Sequence, residues 1–350
     1  MASGTTGRGG QAGGRRVRAT LRDVADAAGT SHSTASRALG GHGYVADHIR
    51  ERVRQAAEQL GYVPDVSART LKGRSSERVG LLVSDLRNQF YAELAAGVEH
   101  ALSAAGLQMV LVDDHGEEQR ALAGARAFIA MRADGVLLAP VGRVATETLV
   151  AHGVPVAEVD RRSGVRGCDA VTIDSERGAR LAVEHLLALG HRRIGLVVDE
   201  IRWDTGRGRL KGYRGAMRAA GLAVARRYVL DLSQTAGPPE EEVARFLAGN
   251  DDMTAVFAAN NVMAELVWQE FARRGTAVPR EVSVVAFDDL GWMRMVAPGL
   301  TAVRQPVFRM GSEAAQALLA RMARGGGGRS EHVLLEPELI VRGSTASPRG

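Results

Sequence analysis

The sequence predicts a small all-α helix-turn-helix domain followed by an α/β core of two lobes, with parallel sheets in both lobes. Three observations carry that prediction. From Thr20 to about position 63, apolar residues recur at helical spacing in three short segments. From about 78 to 343, continuous apolar runs alternate with helix-length amphipathic segments, the pattern of parallel strands covered on both faces. That second stretch exceeds 260 residues, more than one ordinary sheet organises, so two similar lobes are expected.

The first helix is read from Leu21, Val24, Ala25 and Ala28 at i, i+3, i+4 and i+7. Thr20 stands where an N-cap belongs, with Asp23 three residues on, and Gly29 stops the helix. After a very short turn "SHSTASRAL" starts the second helix. It is small and hydroxylic; a helix meant only to bury itself would carry more Leu and Ile. The third, "DHIRERVRQAAEQLGY", turns Ile49, Val53, Ala56, Ala57 and Leu60 inward and ends at Gly61. Three short helices with a tight Gly-containing turn between the first two form a helix-turn-helix pattern.

Residues 64–77 read as a short helix and linker. Pro64 cannot continue the preceding helix, Asp65 can cap a new one, and Gly73, Ser75 and Ser76 are linker residues. A two-turn helix is unstable alone and is expected to form only against a partner surface. In the core, strands are read at "RVGLLVSD", "LQMVLVDD", "DGVLLAPV", "VPVAEVD", "RIGLVVD", "TAVFAAN" and "EVSVVAFDD", with helices such as 175–189 and 261–274 between them. Several runs end in acids: Asp85, Asp113, Asp160, Asp199 and Asp288. Ligands of open α/β sheets sit beyond the carboxyl ends of strands, so these acids mark one functional edge, although any one of them can be a helix cap.

Charge is unevenly spread. Residues 1–78 hold 13 Lys and Arg against 7 Asp and Glu, whereas the remaining 272 residues are balanced at 32 against 33. A basic first quarter points to a polyanion partner, because phosphate neutralisation supplies much of nucleic-acid affinity. Residues 1–19 form a basic arm of Gly and Arg without the apolar core of a signal peptide. No apolar run approaches the roughly 20 residues that span a bilayer. The single cysteine, Cys168, excludes an intrachain disulfide and reads as a small buried hydrophobe. These features predict a cytoplasmic protein with no membrane partner, and the charge alone leaves DNA, RNA or a merely soluble basic tail open.

The ordered set "TLRDVADAAGTSHSTASRAL", "YVADHIRERVRQAAEQLGYVPDVSARTLK", "VGLLVSDLRNQFYAEL", "HLLALGHRRIGLV", "GRLKGYRGAM" and "VPREVSVVAFDDLGW…PGLTAVRQP" resembles the lactose-repressor (LacI/GalR) family of bacterial transcription regulators. The resemblance covers about residues 19–345 and leaves out only the N-terminal arm. It implies a DNA-binding domain at 20–63, a hinge helix and linker at 64–77, and an effector-binding and dimerisation core at 78–345 that is like a type I periplasmic sugar-binding protein. Such proteins are homodimers on palindromic double-stranded operators, and a small effector sets their DNA affinity by shifting the lobes and repositioning the hinge helices. No extended heptad tail follows "LIVRGSTASPRG", so a dimer rather than a tetramer is expected.

By position in that family, His32 and Ser33 resemble the two main base readers and Arg37 a third. Arg pairs bidentately with guanine O6 and N7 in the major groove; the alternative for Arg37 is a phosphate or solvent contact. Thr20, Ser31, Thr34 and Ser36 suit phosphate contacts or caps. In "SARTLK", Leu71 takes the place of the wedge that unstacks the operator centre from the minor groove, unless it packs on the core, with Arg69 and Lys72 near phosphates. Phe90 and Tyr91 resemble the aromatics of "NPFF", with Gln89 in place of the usual Pro; core packing is their alternative. Asp160 and Asp288 resemble acidic effector contacts, since carboxylates accept paired hydrogen bonds from vicinal hydroxyls. Arg209 resembles the effector-binding Arg, with Trp203 and Thr205 on its loop. Asn260 matches a pocket Asn, and Asn261 replaces a commoner Asp.

The function implied is a sequence-specific transcriptional regulator, in the repressor sense, that answers to a sugar or sugar derivative. The alternatives are a sugar-binding protein or a sugar-processing enzyme without a DNA role. The first would be secreted, and the second needs a nucleophile or general base among the strand ends. The sequence carries no HExxH, no phosphate-binding P-loop and no dinucleotide fingerprint in context, so no catalytic residues, metal or cofactor are expected.

Overall fold

A computed structural model describes residues 19–40, 43–62, 76–199 and 201–349. The chain divides between Arg74 and Ser75 into two compact units. In the first, α1 (Leu21–Ala27), α2 (His32–Gly40) and α3 (Asp47–Gln59) surround a core dominated by alanine and valine. Thr20 and Asp23 form a reciprocal capping box: Asp23 Oδ2 accepts from the Thr20 backbone N at 2.7 Å, and Thr20 Oγ1 accepts from the Asp23 N at 3.3 Å. Gly29 stands at φ +61, the left-handed conformation that the tight turn after α1 requires. One expectation fails. Leu60 is 42% exposed, because the chain turns at Gly61 and Tyr62 packs against that end of the core instead.

The second unit holds two six-stranded sheets. The N-terminal lobe is ordered β11-β5-β4-β3-β1-β2 and the C-terminal lobe β12-β10-β9-β8-β6-β7. The strands are β1 (Arg78–Val83), β2 (Gln108–Asp113), β3 (Gly135–Leu138), β4 (Val156–Asp160), β5 (Asp169–Ile173), β6 (Ile194–Val198), β7 (Val229–Asp231), β8 (Ala255–Ala258), β9 (Ser283–Phe287), β10 (Thr301–Arg304), β11 (His332–Leu335) and β12 (Glu338–Ile340). Among the described residues the strand pairings are parallel except β10 with β12, an antiparallel edge. All seven strands read from the sequence form; β5, β7, β10, β11 and β12 were not legible there.

Helices α4 (Gln89–Ala104), α5 (Glu118–Ala130) and α6 (Val144–Ala151) cover the first lobe. Helices α7 (Ser175–Ala188), α8 (Asp204–Ala219), α9 (Pro239–Ala248), α10 (Asn261–Arg274) and α11 (Gly291–Met295) belong to the second. The chain passes between lobes three times: from β5 into α7, from β10 into α12 (Val307–Ala323), and from β11 into β12. Helix α12 returns to the first lobe and lies against α4 so closely that a Cβ at Gly97 would fall 2.0 Å from the Phe308 carbonyl oxygen. A buried pair anchors the start of β5: Arg321 Nη2 and Nε donate to Asp169 Oδ1 and Oδ2 at 2.7 and 2.8 Å.

Candidate functional site

On the helical unit, the exposed face of α2 is built by its own cap. Ser31 Oγ accepts from the Thr34 N at 3.1 Å and lies 2.9 Å from both Thr34 Oγ1 and Ser33 Oγ. Ala35 and Ala38 point into the core, so His32, Ser33 and Arg37 stand outward. Ser33 and Arg37 are one turn apart on one face, and Arg37 Nε rests on the Ser33 carbonyl at 3.3 Å. Thr20, Ser31 and Thr34 therefore have local capping partners, and Ser36 is half-buried. Arg69, Leu71 and Lys72 lie outside the described residues.

In the core unit, a cavity of about 410 Å³ opens between the lobes, within the roughly 300–1,000 Å³ span of small-molecule sites. It lies beyond the carboxyl ends of the strands, as parallel sheets dictate: Ser84 follows β1, Asp160 ends β4, Asp199 follows β6, Asp288 follows β9 and Gln305 follows β10. All eight residues singled out for an effector line it: Phe90, Tyr91, Asp160, Trp203, Thr205, Arg209, Asn260 and Asp288. Asp160 and Asp288 both adopt left-handed backbone, φ +67 and +72, a conformation that Asp tolerates better than most residues and that recurs at functional sites.

Three guanidiniums, of Arg161, Arg202 and Arg209, and three carboxylates, of Asp160, Asp199 and Asp288, set the chemistry of the walls. Arg209 donates from Nη1 to the Ala259 carbonyl at 2.6 Å and lies 3.9 Å over the Phe287 ring, with its Nε buried without a hydrogen-bond partner. Arg161, which the sequence reading passed over, is 8% exposed. Its Nη2 donates to Ser84 Oγ and to Tyr91 Oη, each at 2.7 Å, and its Nε lies 3.3 Å from Asp160 Oδ2. Burial works against its charge, but Tyr91, Asp160, Asp199 and Asp114 hold its pKa above the usual guanidinium value. Burial pushes Asp160 up to about 6, against the pull of Arg161 and Arg209. Asp288 accepts from Gln305 Nε2 at 2.5 Å and from the Asn261 N at 3.1 Å. Asn260 caps α10, accepting from the Met263 N at 2.8 Å, and donates to Asp199 Oδ2 at 2.8 Å.

Trp203 borders the cavity, with Arg161 and Arg202 guanidiniums 5.0 and 4.8 Å from its ring centroid. The indole thus packs against protein cations as well as facing the cavity. The other two strand-end acids serve turns: Asp113 accepts from the Leu86 and His115 backbone N atoms, and Asp85 from the Arg87 N. Cys168 is buried, and burial pushes its thiol up to about 12, far from a nucleophile. Among the described residues there is no cluster of three or more metal-ligating side chains, and no helix long and apolar enough to cross a membrane.

Comparison with known proteins agrees with this two-part organisation. Residues 20–65 match the model for bacterial regulatory proteins of the lacI family, and residues 183–345 match a periplasmic binding protein-like domain. The HTH-type transcriptional regulator DegA of Bacillus subtilis (strain 168) is 31% identical over 335 residues, covering 94% of this chain and 99% of that one. The solved complex of the transcriptional regulator CelR with cellobiose is 31% identical, covers 93% of this chain and all of that one, and superposes with a TM-score of 0.68. The Lac repressor dimer bound to operator and the anti-inducer ONPF is 25% identical, covers 94% and 100%, and gives a TM-score of 0.81. A helix-turn-helix unit ahead of a two-lobed, ligand-sized cleft, together with these relatives, places the chain in the lacI family of bacterial regulatory proteins, the DNA-binding transcriptional regulators.

Proposed function

We propose that this chain is a homodimeric, cytoplasmic repressor whose operator affinity is set by a sugar or sugar derivative in the cleft between the lobes. The observation that carries this reading is the cavity itself: strand-end carboxylates and guanidiniums alternate with Phe90, Tyr91 and Trp203 around about 410 Å³. Carboxylates accept from vicinal hydroxyls, guanidiniums donate to ring and hydroxyl oxygens, and aromatic faces cover the apolar side of a sugar ring. The cellobiose complex of CelR supports a sugar as effector class.

In this reading Phe90, Tyr91, Asp160, Trp203, Thr205, Arg209, Asn260 and Asp288 contact the effector, joined by Arg161. His32, Ser33 and Arg37 read bases, and Thr20, Ser31, Thr34 and Ser36 hold phosphates or caps. Residues 20–63 are the DNA-binding domain, 64–77 the hinge, in which Leu71 wedges the operator and Arg69 and Lys72 meet phosphates, and 78–345 the effector and dimerisation core behind the arm at 1–19. The protein binds its effector without turning it over. Control requires different effector affinity for two lobe arrangements. A thermal-shift screen of sugars and nucleosides, followed by selection of bound DNA from a random pool, tests the reading. A stabilising sugar and a palindromic consensus are expected; no stabilising compound and no consensus would contradict it.

A further inference from the structure

We propose that the side chains of Asn88 and Asn261 form a latch that holds the cleft shut, and that this latch requires an amide donor at position 261. The inference deepens the proposed function and rests on the cleft being the effector site, but its test needs no effector.

Asn88 belongs to the first lobe, immediately before α4, and Asn261 opens α10 in the second. Asn261 Nδ2 donates to Asn88 Oδ1 at 2.8 Å, and Asn88 Nδ2 lies 3.5 Å from Asn261 Oδ1. Asn88 Oδ1 already accepts from the Phe90 N at 3.0 Å, so the group facing it must be a donor. Asn261 is 7% exposed, and its backbone N donates to Asp288 Oδ2 at 3.1 Å. A carboxylate at 261 would set oxygen against oxygen on one side and sit beside the Asp288 carboxylate on the other, both in a buried setting where such contacts are costly. An asparagine removes both conflicts at nearly the same size.

The pair therefore completes a chain of hydrogen bonds from Asp288 through Asn261 and Asn88 to the Phe90 backbone. Asn88, Phe90, Asn261 and Asp288 all border the cavity. A molecule touching Phe90 and Asp288 touches both ends of the latch, so occupancy and closure share the same residues. Next to the pair, Gln89 Oε1 accepts from the Gly291 N at 3.4 Å, and elsewhere the Arg162 N donates to Asp204 Oδ2 at 3.1 Å, further links between the lobes.

Two spin labels on the full-length, effector-free protein read closure directly. Glu147→Cys on α6 and Glu241→Cys on α9 place them at exposed sites near cavity residues Val141 and Pro239, and the native Cys168 is buried and stays unlabelled. Pulsed EPR distances are recorded at pH 8 and pH 5. The charged groups that line the cavity with position 261 are Asp288, Asp199, Arg202 and Arg209 in its own lobe and Asp160 and Arg161 opposite; they are equally present in the doubly labelled parent, which is the reference at each pH. The parent should give the short distance. Asn261→Asp should move the main population to a longer distance at pH 8. At pH 5 its protonated carboxyl can donate to Asn88, and the short distance should return. Asn261→Ala, checked for folding by thermal melting, should stay long at both pH values. Parent-like distances for Asn261→Asp at pH 8 and for Asn261→Ala overturn the latch, and an opening of Asn261→Asp that persists at pH 5 overturns the donor requirement. Failure of the effector reading would appear separately, as a cleft that no sugar stabilises.

Discussion

Arg161 and Tyr91 meet through a 2.7 Å hydrogen bond from the guanidinium Nη2 to the phenol oxygen, with both side chains buried at the cleft wall. Burial pushes the Tyr91 hydroxyl up to about 12, so it is neutral throughout the physiological range. It can therefore accept from Arg161 without neutralising it. Tyr91→Phe keeps the ring and deletes the acceptor. A hydrogen bond to a charged group contributes about 1.5–3 kcal/mol, so urea denaturation should show a loss of that order. Calorimetric titration of an identified effector should also weaken, because the guanidinium loses one of its two hydrogen-bond acceptors and keeps only Ser84 and the Asp160 ion pair. An unchanged variant in both assays would mean that Tyr91 does not position Arg161.

Asp114 gives a pH test with a definite sign. It is fully buried; Oδ1 accepts from the Gly116 N at 2.8 Å and Oδ2 has no hydrogen-bond partner. Burial pushes its carboxyl up to about 6, partly opposed by Arg161. A carboxyl raised in the folded state binds protons more tightly there than in the unfolded chain. Its contribution to stability therefore falls as pH rises from about 4 to about 6 and stays low above that. Asp114→Asn should raise the melting temperature relative to the parent at pH 8, and the gain should vanish near pH 4. A variant that is less stable at pH 8 would contradict the assignment.

The pair Asp169–Arg321 should behave in the opposite sense. Burial opposes the Asp169 charge, but the hydrogen bonds from Arg321 and from the Glu331 N hold its carboxyl below the usual value. Its stabilisation is present above the unfolded pKa and is lost as pH falls through the folded one. Asp169→Asn removes the counter-charge of a guanidinium whose side chain is 0% exposed, leaving Nη1 on the Gly167 and Gly326 carbonyls. Breaking such a buried pair costs about 3–5 kcal/mol, a loss that denaturant titration at pH 7 resolves easily.

Arg37→Ala should flatten sequence preference at one base pair in each half-site, by about 1–3 kcal/mol, while non-specific binding at low salt changes little. Selection from a random DNA pool, repeated with the variant, measures this. An unaltered consensus would remove Arg37 from the base readers.

How much of this was legible beforehand depended on what burial demands of each residue. Central strands such as "IGLVV" announce themselves because both faces are covered. Strand β11 does not: it sits at a sheet edge, and His332, Val333 and Leu334 are exposed. In β5 the apolar run is broken by Asp169 and Thr172, whose partners, Arg321 and His332, come from far along the chain. At the cleft, Asp160 and Asp288 were visible as strand-end acids, but Arg161 was not. It stands in "DRR" beside Arg162, which is exposed, and nothing local separates the two. Only the convergence of Ser84 and Tyr91 on one guanidinium makes the distinction.

Occupancy of the inter-lobe cleft is expected to change affinity for DNA. The most direct test is fluorescence anisotropy on the selected operator, with and without a saturating sugar found by thermal shift. A change of roughly 5–150-fold is expected, absent in Asp288→Ala and in Arg209→Ala, both of which should still bind the operator without effector. Operator affinity that is the same with the cleft empty and full would contradict it.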